Sequence, residues 1–313
     1  MEIIVIGHLN PDTDSIVSAL GVAKFLEEEG KKALACRAGN LNNESLFVLD
    51  YCGLNTEIED IKKVGLEEKE IIFVDFNEEG QSPIDSKEVK LRGILDHHKL
   101  SCSFKTEEPI FFRMEPVGST STLVLKLSRE KNIDLGEPIE KALLCGIISD
   151  TLDLSSPTTT NEERFWVDYL TKKLHINQTE LAERLFEAKS DLSAFTSEQI
   201  VKLDWKNFEF EGNKIGIGVI ETVKPGQVKK IEQSLREALA KVKEEEKLDF
   251  AYLGIVDIIK NETEMLIISE KEKEIIMKSF SDIRIDEDSL ILRGIVSRKK
   301  QIAPAIERAM ENN

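Results

Sequence analysis

The chain has 313 residues, with 59 acidic against 42 basic side chains and a net charge of −17. That length exceeds one ordinary domain and suits two, and so acidic a balance excludes a broad basic face for nucleic acid. No apolar run approaches the roughly 18 residues of a membrane span, and Met1 leads into a strand without a basic leader, so a soluble, cytoplasmic protein is expected.

In chain order, Glu2–Gly7 reads as a strand and Ser15–Glu29 as a helix, with apolar residues at Ile16, Leu20, Ala23 and Leu26 and a stop at Gly30. Lys32–Arg37 is a second strand and Asn43–Cys52 a second helix. Glu70–Asp75 and Val89–Leu95 are β-branched runs ending in charged or imidazole residues, and helices follow over Ser119–Lys131, Pro138–Ile148 and Asn161–Leu174. Strands alternating with helices imply an α/β unit on a parallel, doubly wound sheet.

After about Lys189 the pattern changes. A hairpin (Asn207–Phe210, Lys214–Ile220) turns at Gly212–Asn213 and is followed by a charged helix over Val228–Glu246. Strands come next at Phe250–Ile258, Glu264–Ile268 and Ile291–Val296, with a last helix from about Pro304. This second unit reads as a smaller α/β domain with a mixed sheet. The expected division is 1–188 and 195–313, with a linker at 188–194. Gly216-Ile217-Gly218 lies inside a strand pattern and lacks a third glycine, so it is not a dinucleotide fingerprint. Cys36, Cys52, Cys102 and Cys145 form no Cys-x-x-Cys pair; buried, reduced thiols are expected.

Of four histidines, three fall in two clusters at strand ends: His8, in Gly7-His8-Leu9-Asn10-Pro11-Asp12-Thr13-Asp14-Ser15, and His97-His98, after Asp96. Acids also follow Ile71–Val74 (Asp75) and Ile147–Ser149 (Asp150, with Asp153). Singly, each has an ordinary explanation: Asp14 or Ser15 as a helix cap, Asp150 as a loop acid. Together, imidazoles and carboxylates at the carboxyl ends of parallel strands converge on one crevice. So many carboxylates repel one another unless cations join them. Mixed imidazole and carboxylate donors suit Mn²⁺ or Co²⁺; Mg²⁺ or Ca²⁺ prefers oxygen alone, and structural zinc would draw on cysteine. Asp75, alone at its strand end, is the natural bridge between two metals. A pair about 3.5–4 Å apart drives in-line displacement at phosphorus.

These motifs, in order, resemble the DHH phosphoesterase superfamily. Glu115-Pro116-Val117-Gly118-Ser119-Thr120-Ser121-Thr122, the run from Ile148 to Thr160 and Ser297-Arg298-Lys299-Lys300-Gln301 resemble its manganese-dependent (family II) inorganic pyrophosphatases. The resemblance implies two Mn²⁺ or Co²⁺ ions per subunit and hydrolysis of pyrophosphate, arriving with Mg²⁺, to two orthophosphates by attack of a bridging hydroxide. His8, Asp12 and Asp75 would hold one metal; Asp14, Asp75, His97 and Asp150 the other. His98 would face substrate, and Lys206, Arg298 and Lys299 would grip phosphate from the second unit, across a cleft that closes through residues 188–194. A homodimer is also implied. The nearest alternative is a related DHH enzyme acting on short polyphosphate or oligonucleotides.

One departure stands out. The family usually has Asp-His-Asn-Glu where this chain has Asp75-Phe76-Asn77-Glu78, so an outer contact of the metal site is expected to be missing. Two other segments have competing readings. Arg298-Lys299-Lys300 before a helix is either a solvated basic turn or, since a helix start disfavours cations, an anion grip. Gly118-Ser119-Thr120 is either an anion cradle or a plain N-cap.

Overall fold

In the computed structural model, which describes residues 2–67, 69–85, 89–101, 103–193, 195–286 and 289–311, the chain divides into two units, residues 1–185 and 186–313. In the first, β1 (Glu2–Leu9), β2 (Lys32–Ala38), β3 (Glu59–Asp60), β4 (Glu70–Val74), β5 (Lys90–Asp96) and β6 (Phe111–Met114) pair in parallel throughout. Their spatial order is β3-β2-β1-β4-β5-β6. The chain winds outward from β1 through β2 and β3, then returns to lay β4 on the other side of β1. The carboxyl ends of β1 and β4 therefore flank the reversal, where open α/β sheets place their ligands.

Helices α1 (Thr13–Glu28), α2 (Asn43–Cys52), α3 (Thr120–Lys131), α4 (Glu137–Asp150), α5 (Asn161–Lys173) and α6 (Gln178–Lys189) complete this part of the chain. Of these, α1 packs on β1, β2, α3 and α4 and buries nearly every residue from Thr13 to Leu26. One core cluster joins Ile4 and Ile6 to Cys36, Phe73, Phe76, Ile84 and Ile94. Cys36, Cys52 and Cys145 are buried and free; Cys102 lies outside the described residues.

The second unit carries α7 (Ser197–Val201), β7 (Trp205–Phe210), β8 (Asn213–Thr222), α8 (Pro225–Lys229), α9 (Glu232–Glu245), β9 (Phe250–Asp257), β10 (Glu262–Leu266), α10 (Glu270–Ser279), β11 (Ile283–Asp286), β12 (Ser289–Arg293) and α11 (Ala303–Glu311). The sheet order is β11-β12-β10-β9-β8-β7. Only β8 and β9 run parallel, the other described pairs being antiparallel, so the sheet is mixed. On α9, Leu235, Leu239 and Val242 recur at helical spacing and pack with Val201, Ile220 and Leu253. Gly216 lies in β8 as expected. A Cβ there would stand 2.0 Å from Cζ2 of Trp205, so the glycine makes room for the indole.

The departures from expectation have local causes. The single helix over Val228–Glu246 is two, because Pro225 opens a turn of its own and Ile231 breaks the helical path. Helix α10 was not expected: its only buried residues are Glu272, Ile275 and Ile276, too short a stripe to show among its charges. The division at residues 185 and 186 falls inside α6. Of the segment 188–194, Ala194 lies outside the described residues.

Candidate metal centre

Six side chains from distant parts of the first unit meet at the carboxyl ends of its strands. His8 sits within β1, which runs two residues further than expected, with a register shift between Ile6 and Leu9. Its Nδ1–H donates to the Leu9 carbonyl at 2.9 Å, which leaves Nε2 as the ligand atom. That atom stands 3.7 Å from Oδ2 of Asp12 and 3.5 Å from Oδ2 of Asp75. Asp12, not Asp14 or Ser15, is the N-cap of α1: its Oδ1 accepts from the Ser15 N–H at 2.9 Å.

His97 repeats the His8 arrangement. Its Nδ1–H donates to the Val117 carbonyl at 3.0 Å, and its Nε2 lies 3.5 Å from Oδ1 of Asp75 and 3.3 Å from Oδ2 of Asp150. Asp150, expected in the loop after the helix over Pro138–Ile148, is instead the last residue of α4. Asp153, expected beside it, instead accepts from Gln178 at 2.6 Å and belongs to none of the three groups of ligand atoms that meet here.

Asp75 is 1% exposed and has φ +65°. Its N–H donates to the Leu95 carbonyl at 2.9 Å and its Oδ1 accepts from Thr120 Oγ1 at 2.8 Å. The two carboxylate oxygens thus point to different imidazoles. The trios His8–Asp12–Asp75 and Asp14–His97–Asp150 each offer ligand atoms within 4.8 Å of one another, as does Asp75–His97–His98. In the last, however, Nδ1 of His98 is already engaged with Asp96, 2.8 Å away. Two mixed nitrogen–oxygen trios with Asp75 between them fit a pair of borderline divalent ions.

The Gly118-Ser119-Thr120 segment is the N-cap of the two readings, and its donors are taken up within the chain. Ser119 caps α3, and the group it and its neighbours hold is the side chain of Asp14. The Asp14 carboxylate accepts from Ser119 Oγ (2.7 Å), Thr120 N (2.7 Å), Ser121 N (3.0 Å) and Ser121 Oγ. Gly146 is required by this packing, since a Cβ there would lie 2.5 Å from Ser121 Oγ. Burial and the neighbouring Asp12 charge push Asp14 up, against the bonds from Ser121 and Ser119. Asp75 is pushed up to about 7, by burial and then by the Asp14 and Asp12 charges. For His8, burial works against the charged form, but hydrogen bonds and charges from Asp12 and Asp75 outweigh it and push it up to about 10. Without cations the site therefore holds protons in their place.

Sequence reasoning missed the residues that orient the ligands. Asp96 is fully buried and accepts from the backbone N–H of His97 (2.7 Å) and of His98 (3.1 Å). Asn77 Nδ2 donates to Asp96 and to the Lys99 carbonyl. The only signal for Asn77 was its place in the Asp75–Glu78 run. Phe76 is buried in the core, its ring 4.8 Å from Phe73 and 6.1 Å from Phe104, so the position fills apolar volume.

In the second unit, Arg298 begins a π-type turn, Arg298–Ile302, leading into α11. It is not a solvated cation: it donates to the Asp204 carbonyl at 2.6 Å and to Asp204 Oδ1 at 2.7 Å. Gln301 accepts from the N–H groups of Val296 and Ser297 and donates to the Gly294 carbonyl, pinning the turn. Lys206 is half-buried on β7, and Lys299 is half-buried in the turn.

A parallel sheet with imidazoles and carboxylates at its reversal point, an Asp-His-His run closing β5 and a mixed-sheet second unit define a DHH protein. The DHH family N-terminal domain matches residues 2–147, and the DHHA2 domain matches residues 183–309. Over 309 residues, 99% of both chains, the sequence is 34% identical to the manganese-dependent inorganic pyrophosphatase of Bacillus subtilis. It is 37% identical to that of Methanocaldococcus jannaschii, over 97% of this chain and 98% of the other. The chain belongs to the manganese-dependent inorganic pyrophosphatase family. A crystal structure from Methanococcus jannaschii, assigned to the family II inorganic pyrophosphatases, superposes with a TM-score of 0.86 at 36% identity, covering 99% of this chain and 100% of the other.

Proposed function

We propose that the protein hydrolyses inorganic pyrophosphate to two orthophosphates at a centre of two divalent metals per subunit, manganese or cobalt, with magnesium accompanying the substrate. The observation that carries this is Asp75, whose two oxygens face the Nε2 atoms of His8 and His97; full-length likeness to pyrophosphatases supports the substrate.

In this reading His8, Asp12 and Asp75 hold one metal, and Asp14, Asp75, His97 and Asp150 the other. When bound, the metals lower the pKa of water toward about 7 and take up charge on the phosphoryl oxygens. The chain's own part is to aim the donors. Backbone carbonyls fix the two ligand imidazoles, and the Ser119–Ser121 cradle fixes Asp14. His98, held through Nδ1 by Asp96, meets a phosphate oxygen with Nε2 and gives it a proton when the ring carries both. Arg298, Lys299 and Lys206 receive the phosphate that is not attacked, the fork of Arg298 suiting its oxygens. The reading includes a homodimer and a cytoplasmic setting. Edge strand β6, with Phe111 49% exposed, offers a face for a second copy; light scattering decides that point.

Phosphate release is measured from purified protein stripped of metal and reloaded with Mn²⁺, Co²⁺ or Mg²⁺. Fast release from pyrophosphate with Mn²⁺ or Co²⁺, lost in His97→Ala and Arg298→Ala, is expected. Release only from tripolyphosphate or a dinucleotide would move the protein to a neighbouring DHH branch, and no release from any of them would overturn catalysis.

A further inference from the structure

Glu44 is the second residue of α2 and is 1% exposed, a costly place for a carboxylate. Its Oε2 accepts from Thr13 Oγ1 at 2.8 Å and from Ser149 Oγ at 2.8 Å. Both hydroxyls are buried, and Thr13 also lies 3.3 Å from the buried Ser45 hydroxyl. Thr13 stands between Asp12 and Asp14 in the opening of α1, and Ser149 directly precedes Asp150 at the end of α4. One oxygen at the start of α2 therefore ties together the two helix ends that supply Asp14 and Asp150. Hydrogen bonding within α1 and within α4 sets no distance between the helices; a shared acceptor does.

We propose that Glu44 is a positioning residue for the trio Asp14–His97–Asp150, fixing the separation of its two carboxylates through Thr13 and Ser149. The inference rests on the two-metal reading. It singles out this trio because Ser149 adjoins Asp150: Asp12 and Asp75 are anchored by the Ser15 N–H and Thr120, and Asp14, held by the Ser119–Ser121 cradle, is the fixed point against which the tether sets Asp150.

The test is a Mn²⁺ titration of the metal-free full chain, followed by calorimetry and by electron paramagnetic resonance, which separates a coupled manganese pair from an isolated ion. The parent protein takes up two ions. In Glu44→Ala, one affinity falls about 10–100-fold, the usual effect of losing an outer-shell partner. The other holds, and the coupled-pair signal gives way to an isolated one at limiting metal. Glu44→Gln retains an oxygen that accepts from both hydroxyls and restores binding; Ser149→Ala removes one tether and weakens the same ion, which carries the test should Glu44→Ala not fold. Unchanged affinities in Glu44→Ala and Ser149→Ala, equal weakening of both ions, or a Gln variant as poor as Ala would each overturn the inference. A parent protein that binds no Mn²⁺ sinks the two-metal reading, and this inference with it.

Discussion

Metal uptake by the stripped protein is expected to expel protons in a countable number. His8, pushed up to about 10 by the hydrogen bonds and charges of Asp12 and Asp75 against the cost of burial, holds its proton throughout the neutral range. Asp75, pushed up to about 7 chiefly by burial and then by the Asp14 and Asp12 charges, holds its proton for part of the neutral range. Both bind metal only after losing that proton. The sign follows: lowering the pH strengthens the competitor, so affinity falls as pH falls. At pH 7 the His8 proton and a share of one from Asp75 are expelled at the ion they share, more than one in all. Between pH 7 and 9 His8 dominates and affinity rises about 10-fold per pH unit; well below pH 7 both compete and the slope approaches about 100-fold per unit. Calorimetry in two buffers of different protonation enthalpy, repeated from pH 6 to 9, measures both quantities. Affinity independent of pH, or fewer than about half a proton expelled at pH 7, would refute this account of the site.

Three substitutions probe other parts of the structure. Phe76→His places an imidazole against Phe73 and Phe104; urea unfolding should show a loss of about 2–4 kcal/mol, with no gain in Mn²⁺ affinity. Gly216→Ala drives a methyl into Trp205 and should cost about 1–3 kcal/mol in the same assay. Asp204→Ala removes a half-exposed carboxylate from Arg298 and leaves the backbone carbonyl to orient it. Discounted for solvent screening, sulfate should then bind about 2–5-fold more tightly as an inhibitor; weaker inhibition would show that the carboxylate aids anion binding instead.

The ligands were legible because each carries its chemistry locally: an imidazole or acid at the end of a β-branched run. Their supports were not. Ser119, Thr120 and Ser121 reach Asp14 from more than 100 residues away, and Glu44 looks in sequence like any acid in the first turn of a helix. Only the fold brings them together. Asp150 was expected as a loop acid just past the helix over Pro138–Ile148, and that helix runs two residues further to carry it. The missed α10 and the split between α8 and α9 lie where charged residues dilute the apolar period on which helix recognition depends.

The backbone at position 75 has a consequence for how this sequence drifts. The residue there must adopt a left-handed conformation that glycine, asparagine and aspartate tolerate and most others resist. It must also present two acceptor oxygens, to opposite sides, within one carbon of the main chain. Glycine and asparagine meet the first demand and fail the second, while glutamate offers the oxygens on a longer arm at a conformational cost. The two requirements leave a sequence space of one. Position 76, one residue away, is held instead by the apolar volume between Phe73 and Phe104, which several side chains of that size could fill.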